Sequence, residues 1–136
     1  MNASVAERTE WLGRAADNVV PIEYATTDRV CQRWAVSIGM GLPTELWQDG
    51  AYSRPPPLDN DTAIIVDQII LKSPEKTKRL VRAWYCTSMA QSVLADRFHL
   101  NERTLIIAWQ LSLHFLQYRF SESQHRPLLA LLRLRD

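Results

Sequence analysis

QSVLADRFHLNERTLIIAWQ, residues 91–110, is the stretch whose reading decides the fold. Taken as two helices around a tight turn, it sets Leu94, Ala95 and Phe98 on the inner face of the first helix. Leu100 fills the turn, and Leu105 and Ala108 form the inner face of the second. Two short helices that cross steeply need a small residue where they approach, here Ala95, and apolar residues on both sides of the turn; that is the pattern of a helix-turn-helix. Asn101 is a good N-cap for the second helix, because its side-chain oxygen accepts an orphan backbone N–H. Asn101, Glu102, Arg103, Ile106, Ile107 and Gln110 are then expected to point away from the core, where a DNA groove would lie.

Two positions depart from a standard DNA reader. His99 stands where the turn usually carries Gly, and a positive φ there costs a non-glycine residue about 1 kcal/mol, although His tolerates that region better than most. Ile106 and Ile107 stand where Arg, Lys or Gln would read bases or phosphates. An apolar side chain contacts a thymine methyl but supplies none of the phosphate attraction that dominates affinity. A helical hairpin inside an ordinary all-α core is the competing reading of the same residues.

Outward from this stretch the pattern stays helical. The second helix is expected to run from Glu102 to about Phe120, about 28 Å, with Trp109, Leu113, Leu116 and Phe120 on an apolar face that Ile106 and Phe115 broaden. Upstream, Ser73-Pro74-Glu75 reads as an N-cap Ser, a first-turn Pro and an acid. The helix it starts reaches about Cys86, with Leu80, Val81, Trp84 and Tyr85 apolar and Lys76, Lys78, Arg79 and Arg82 basic. Before it, Asp59 or Asp61 caps a helix whose Ala63, Val66, Ile69 and Ile70 form one face. Thr27 or Asp28 is expected to cap a helix to about Ser37, with Val30, Trp34 and Ile38 at four-residue spacing and Trp34 as a packing anchor. A further short helix is expected within residues 4–16, from Val5, Trp11 and Leu12.

Residues 39–58 hold three of the chain's four glycines and four of its seven prolines. They read as an arm, and so long a loop is often functional; its apolar members are Leu46, Trp47 and Tyr52. The last nine residues, LLALLRLRD, are too short for an isolated helix and must dock on the domain or on a partner. The fold expected is therefore all-α: residues 1–58 with N-terminal helices and a Pro/Gly-rich arm, a helical core over 59–120 with the helix-turn-helix at about 88–119, and a Leu-rich tail at 121–136, within one compact domain.

The 136 residues carry a net charge of +1, so no global basic field advertises nucleic acid. The distribution says more: residues 1–74 hold 6 basic and 10 acidic side chains (−4), residues 75–119 hold 7 and 3 (+4), and residues 120–136 hold 3 and 2 (+1). The helix-turn-helix block is the basic part. Cys31 and Cys86 lack CxxC or nearby His spacing, so two reduced thiols are expected and no metal site. No secretory signal or membrane-spanning run is read, so the expected location is cytoplasmic. There is no Gly-rich phosphate loop, HExxH or GxSxG motif, and His99, His114 and His125 are scattered, with His114 expected to be packed. No enzymatic activity and no cofactor are expected.

In this order, the Trp34 helix, the loop ending in Ser53-Arg54-Pro55, the acid-started helix with Ala63, Val66, Asp67 and Ile70, the segment SPEKTKRLVRAWY and a hairpin similar to region 4 of sigma factors make the chain resemble the phage Q-type antitermination proteins. The likeness is to the compact, zinc-free branch, over roughly residues 28–120, and rests on the order of weak features. It implies a non-catalytic regulator that binds a double-stranded DNA element near a promoter and loads onto paused RNA polymerase with its sigma factor. There it encloses the nascent RNA at the exit channel, so that terminator hairpins fail, in a bacterial host cell and close to its nucleoid. On that resemblance Asn101, Glu102, Arg103 and Gln110 face the groove, and Lys76, Lys78, Arg79 and Arg82 contact phosphates. Leu46, Trp47 and Tyr52 of the arm and Leu128, Leu129 and Leu132 of the tail touch polymerase or a second copy. Two alternatives stand beside it: a helix-turn-helix activator or repressor dimerising through Leu128–Leu134, and a helical adaptor that binds only protein.

Overall fold

The computed structural model describes residues 20–39, 55–87 and 89–133. The chain is all-α. A 3-10 turn, Ile22–Tyr24, leads into α1 (Ala25–Ser37), followed by α2 (Asn60–Leu71), α3 (Glu75–Cys86), α4 (Gln91–Arg97), α5 (Glu102–Ser121) and α6 (Arg126–Arg133). The expected helix in residues 4–16 and the arm residues Leu46, Trp47 and Tyr52 lie outside the described residues.

α5 is the axis of the packing. Leu105, Trp109, Leu113, Leu116 and Phe120 are buried along it, and α1, α2, α3, α4 and α6 all pack on it. Removing such side chains from water is the main favourable term in folding. α1 contributes Val30, Cys31, Trp34 and Ala35 to the same core. As its spacing suggests, Trp34 is buried, and its indole N–H donates to Asp67 Oδ1 of α2 at 3.1 Å.

A buried polar chain ties α1, α3 and α5 together. Trp109 Nε1 donates to the Tyr85 hydroxyl at 3.0 Å, and that hydroxyl donates to Asp28 Oδ1 at 2.5 Å. Gln32 Nε2 donates to the other Asp28 oxygen at 2.8 Å. Trp84 stacks on Trp109 with ring centroids 4.4 Å apart. Asp28 is therefore not a cap. The helix begins at Ala25 without a side-chain cap, and the carboxylate turns inward because Tyr85 and Gln32 satisfy it there. Thr27, the other expected cap, is buried and donates to Gln117 Oε1 of α5 at 2.9 Å.

Asp59 caps α2 as expected, accepting from Thr62 N at 2.9 Å. Ser73 does not cap α3. Its hydroxyl donates to the Ile69 carbonyl at 2.8 Å, closing the last turn of α2, and Pro74 takes the N-cap position. The end of the arm is pinned to α1: Arg33 donates from Nε to Pro56 O and from Nη2 to Pro57 O, at 3.0 and 3.1 Å. Leu58 N donates to Ser37 Oγ at 2.7 Å, and the Leu58 side chain is buried.

The Leu-rich tail docks on its own domain. α6 packs on α1 and α5, Leu128 is fully buried, and Leu131 and Leu132 lie half-buried against the core. A second anchor precedes the helix. The Thr62 hydroxyl donates to Asp59 Oδ2 at 2.8 Å, which leaves its oxygen to accept from His125 Nε2 at 2.9 Å. The external role expected of Leu128 is thus corrected, because a side chain with no exposed surface has nothing to offer a partner. Leu132 is largely spent in the same way, and Leu129 is half-buried.

Both cysteines are free and buried. Burial pushes the Cys31 thiol well above its ordinary value and raises Cys86 to about 11, so neither presents a thiolate.

Two measurements check this packing. Leu128→Ala should destabilise the chain by about 2–5 kcal/mol, the range for a buried leucine; an unchanged melting temperature would show α6 undocked. Burial pushes the Asp28 carboxyl up, and its bonds from Tyr85 and Gln32 offset this only in part. A raised folded-state pKa contributes stability below the unfolded carboxylate value, and that contribution is lost as pH rises through the folded value. Asp28→Asn should therefore gain stability relative to the natural chain on going from about pH 3 to about pH 7. Denaturation curves whose difference stays constant over that range would contradict it.

Candidate nucleic-acid interface

α4 and α5 pack on one another across a four-residue connection, Phe98–Asn101. Leu94, Ala95 and Leu105 are buried at their junction, while Phe98 and Ala108 are half-buried against the core. The turn closes α4 with a Schellman motif. His99 takes φ 56°, its N–H reaching Asp96 O at 3.1 Å, and Leu100 N reaches Ala95 O at 2.9 Å. The expected glycine-like conformation is present with histidine in it. Asn101 then caps α5, its Oδ1 accepting from Thr104 N at 2.8 Å. That oxygen is committed to the helix, so only the Asn101 amide nitrogen is left for an outside acceptor.

The first turn of α5 presents Glu102, Arg103 and Thr104 to solvent. Beyond it the expectations divide. Ile107 is exposed, but Ile106 packs against the core and Gln110 is half-buried on the flank. This corrects the expected outward direction of Gln110; Ile106, read both as outward and as broadening the apolar face, takes the second place, because the broad inner face of α5 reaches as far as position 106. Only one of the two isoleucines stands in a reader's position. His114 is corrected too: it is exposed, hydrogen-bonded through Nδ1 to the Tyr24 hydroxyl at 2.9 Å and edge-on to the Tyr24 ring.

The basic residues of α3 sit apart from Arg103. α3 ends beside the N-terminal half of α5, where Trp84 and Tyr85 meet Trp109. It starts beside the other end: Lys72, two residues before Pro74, lines an open groove of about 370 Å³ with Ile69 of α2 and Arg119, Glu122 and Ser123. The helix therefore runs back along α5. Arg82 is the closest of the four to the α4–α5 hairpin and Lys76 the farthest. Lys76, Arg79 and Arg82 are exposed, whereas Lys78 is half-buried and ion-paired with Glu75 at 2.9 Å. That bond, and then the charges of Lys78 and Arg79, hold the Glu75 carboxyl below its usual range. Lys78 is the least available of the four to a phosphate.

The reading of the sequence missed the outward stripe of α5, where Leu111 and Tyr118 are exposed along with Ile107. Its signal was present as a second apolar periodicity, masked by the stronger Trp109–Leu113–Leu116–Phe120 face.

Among the described residues no group of three or more His, Cys, Asp or Glu side chains is placed to hold a metal ion, and no helix is long and apolar enough to cross a membrane. Comparison with family models, curated proteins and solved structures returned no match.

The turn offers a direct check. His99→Gly removes the Cβ clash of the left-handed conformation and should stabilise the chain by about 1 kcal/mol. A destabilised variant would mean that the imidazole makes a contact outweighing that strain.

Proposed function

We propose that the chain is a DNA-binding regulator of transcription that works by antitermination. The observation that carries the DNA part is the closed α4–turn–α5 unit with Glu102, Arg103 and Thr104 exposed on the first turn of α5. In a helix-turn-helix that end of the second helix meets the base edges. Arg103 is the residue assigned to a base, bidentate to guanine, and Lys76, Arg79 and Arg82 are assigned to phosphates along the duplex. The antitermination part rests on the sequence resemblance. It is supported by the small number of cations assigned to DNA, Lys76, Arg79, Arg82 and Arg103: on this reading DNA serves to recruit the protein, and a protein partner, RNA polymerase with its sigma factor, retains it. The arm residues Leu46, Trp47 and Tyr52 keep that assignment, the place of action is the bacterial cytoplasm, and no catalysis or cofactor is required. With Leu128 in the core, the tail has no part in this reading.

The exposed apolar stripe of α5 favours one second reading, an adaptor that binds only protein. Two experiments separate them. In single-round transcription across a terminator, added protein should raise read-through when the upstream promoter element is present and leave it unchanged when that element is scrambled. Arg103→Ala should weaken binding to the specific site by about 1–3 kcal/mol and random DNA of equal length much less. No read-through with either template, together with no DNA binding, would leave the adaptor standing.

A further inference from the structure

Arg103, Thr104 and Ile107 form one exposed triangle on α5. At about 100° per residue, Ile107 lies between Arg103 and Thr104 around the helix and one turn further along it. It stands almost opposite the buried line of Leu105, Trp109, Leu116 and Phe120, and it is 49 % exposed. With Ile106 turned to the core, Ile107 is the apolar side chain that accompanies Arg103 wherever the start of α5 is placed.

In a major groove a branched aliphatic side chain beside an arginine has a definite preference. Every base edge there carries polar atoms, and thymine alone adds an apolar group, its C5-methyl. Isoleucine laid over the N7 and O6 of guanine, the N6 of adenine or the N4 of cytosine would displace water from those atoms and offer no bond in return. Laid over a thymine methyl, it buries apolar surface against apolar surface. We infer that Ile107 is a specificity-determining residue of the proposed DNA contact and reads the methyl group of a thymine close to the guanine assigned to Arg103. The inference rests on the DNA-binding reading given above.

The spacing follows from the helix. Four residues advance about 6 Å along α5, just under two base-pair steps of about 3.4 Å, so the thymine lies one or two base pairs from the guanine. Thr104 flanks the same spot with a methyl and a hydroxyl, a side chain that accepts more than one base. A methyl contact neutralises no phosphate, so its contribution to affinity does not vary with salt as that of Arg79 or Arg82 does.

The test uses the full chain to select a duplex from a random-sequence pool. The selected duplex is then made again with deoxyuridine in place of one thymine at a time, a change that removes the methyl and leaves the base pair intact. At one position within two base pairs of a guanine, uracil should weaken binding about fourfold, the transfer value of one buried methyl, and by the same factor at low and high salt. Ile107→Ala should bind the thymine and uracil duplexes alike while keeping its preference for the guanine, with an unchanged helical circular dichroism spectrum. A pool that enriches no sequence would overturn the DNA reading and this inference with it. A selected duplex bound equally well with uracil at every position, or a uracil effect that persists in Ile107→Ala, would overturn the inference and leave the DNA reading standing.

Discussion

The structure turns on Trp109. Its ring is stacked on Trp84, and its one polar atom is buried and donates to the Tyr85 hydroxyl. Tyr85 in turn needs an acceptor, and Asp28 supplies it from α1. An unsatisfied buried donor would cost about 1–3 kcal/mol, so these three residues hold α1, α3 and α5 in one relative rotation. Apolar packing alone would tolerate a small roll of α5. The polar chain does not, and it thereby decides which side of α5 faces outward. Arg103, Thr104, Ile107, Leu111 and Tyr118 are on the surface as a consequence of what Trp109 must reach inside.

What the sequence disclosed was mostly local. Asp59 and Asn101 could be read as caps because a cap bonds within three residues of itself, and His99 could be read as the left-handed residue because the turn length demands one. The Trp34 and Leu113 stripes followed from helical periodicity. The features that escaped depend on partners far along the chain. Asp28 looked like a cap because nothing nearby tells of Tyr85, 57 residues away. Nothing near Arg33 tells of the Pro56 and Pro57 carbonyls that it binds, 23 and 24 residues on; Ser73 is the exception, since its hydroxyl turns back to Ile69 within α2. The tail looked adhesive because a nine-residue amphipathic stretch has the same composition whether its apolar side meets a core or a stranger. Leu128 and the His125–Thr62–Asp59 chain decide in favour of the core.

The candidate site was legible in part for the same reason. The first turn of α5 follows from the hairpin and its cap, so Glu102 and Arg103 were placed correctly on the surface. The direction of position 110 was not, and position 106 could be read either way, because the width of a buried face is set by the neighbouring helices and not by the helix's own sequence. Nor could the sequence say that α3 runs back along α5, which separates Lys76 from Arg103 by most of the length of the longest helix. A single compact basic patch is thereby replaced by exposed cations spread along α3 and at the start of α5. That arrangement suits contact with an extended polyanion better than with a small anionic ligand.

The central claim is that the exposed cations of α3 and the first turn of α5 meet DNA phosphates and bases. The most direct measurement is the slope of the logarithm of DNA affinity against the logarithm of salt concentration. Each phosphate neutralised contributes about −0.9 to that slope. With Lys76, Arg79 and Arg82 on phosphates and Arg103 on a base, the slope should be about −3 and become shallower by about one unit with Arg79→Ala. An affinity for DNA that does not change with salt, or a slope that Arg79→Ala and Arg82→Ala leave untouched, would contradict the account.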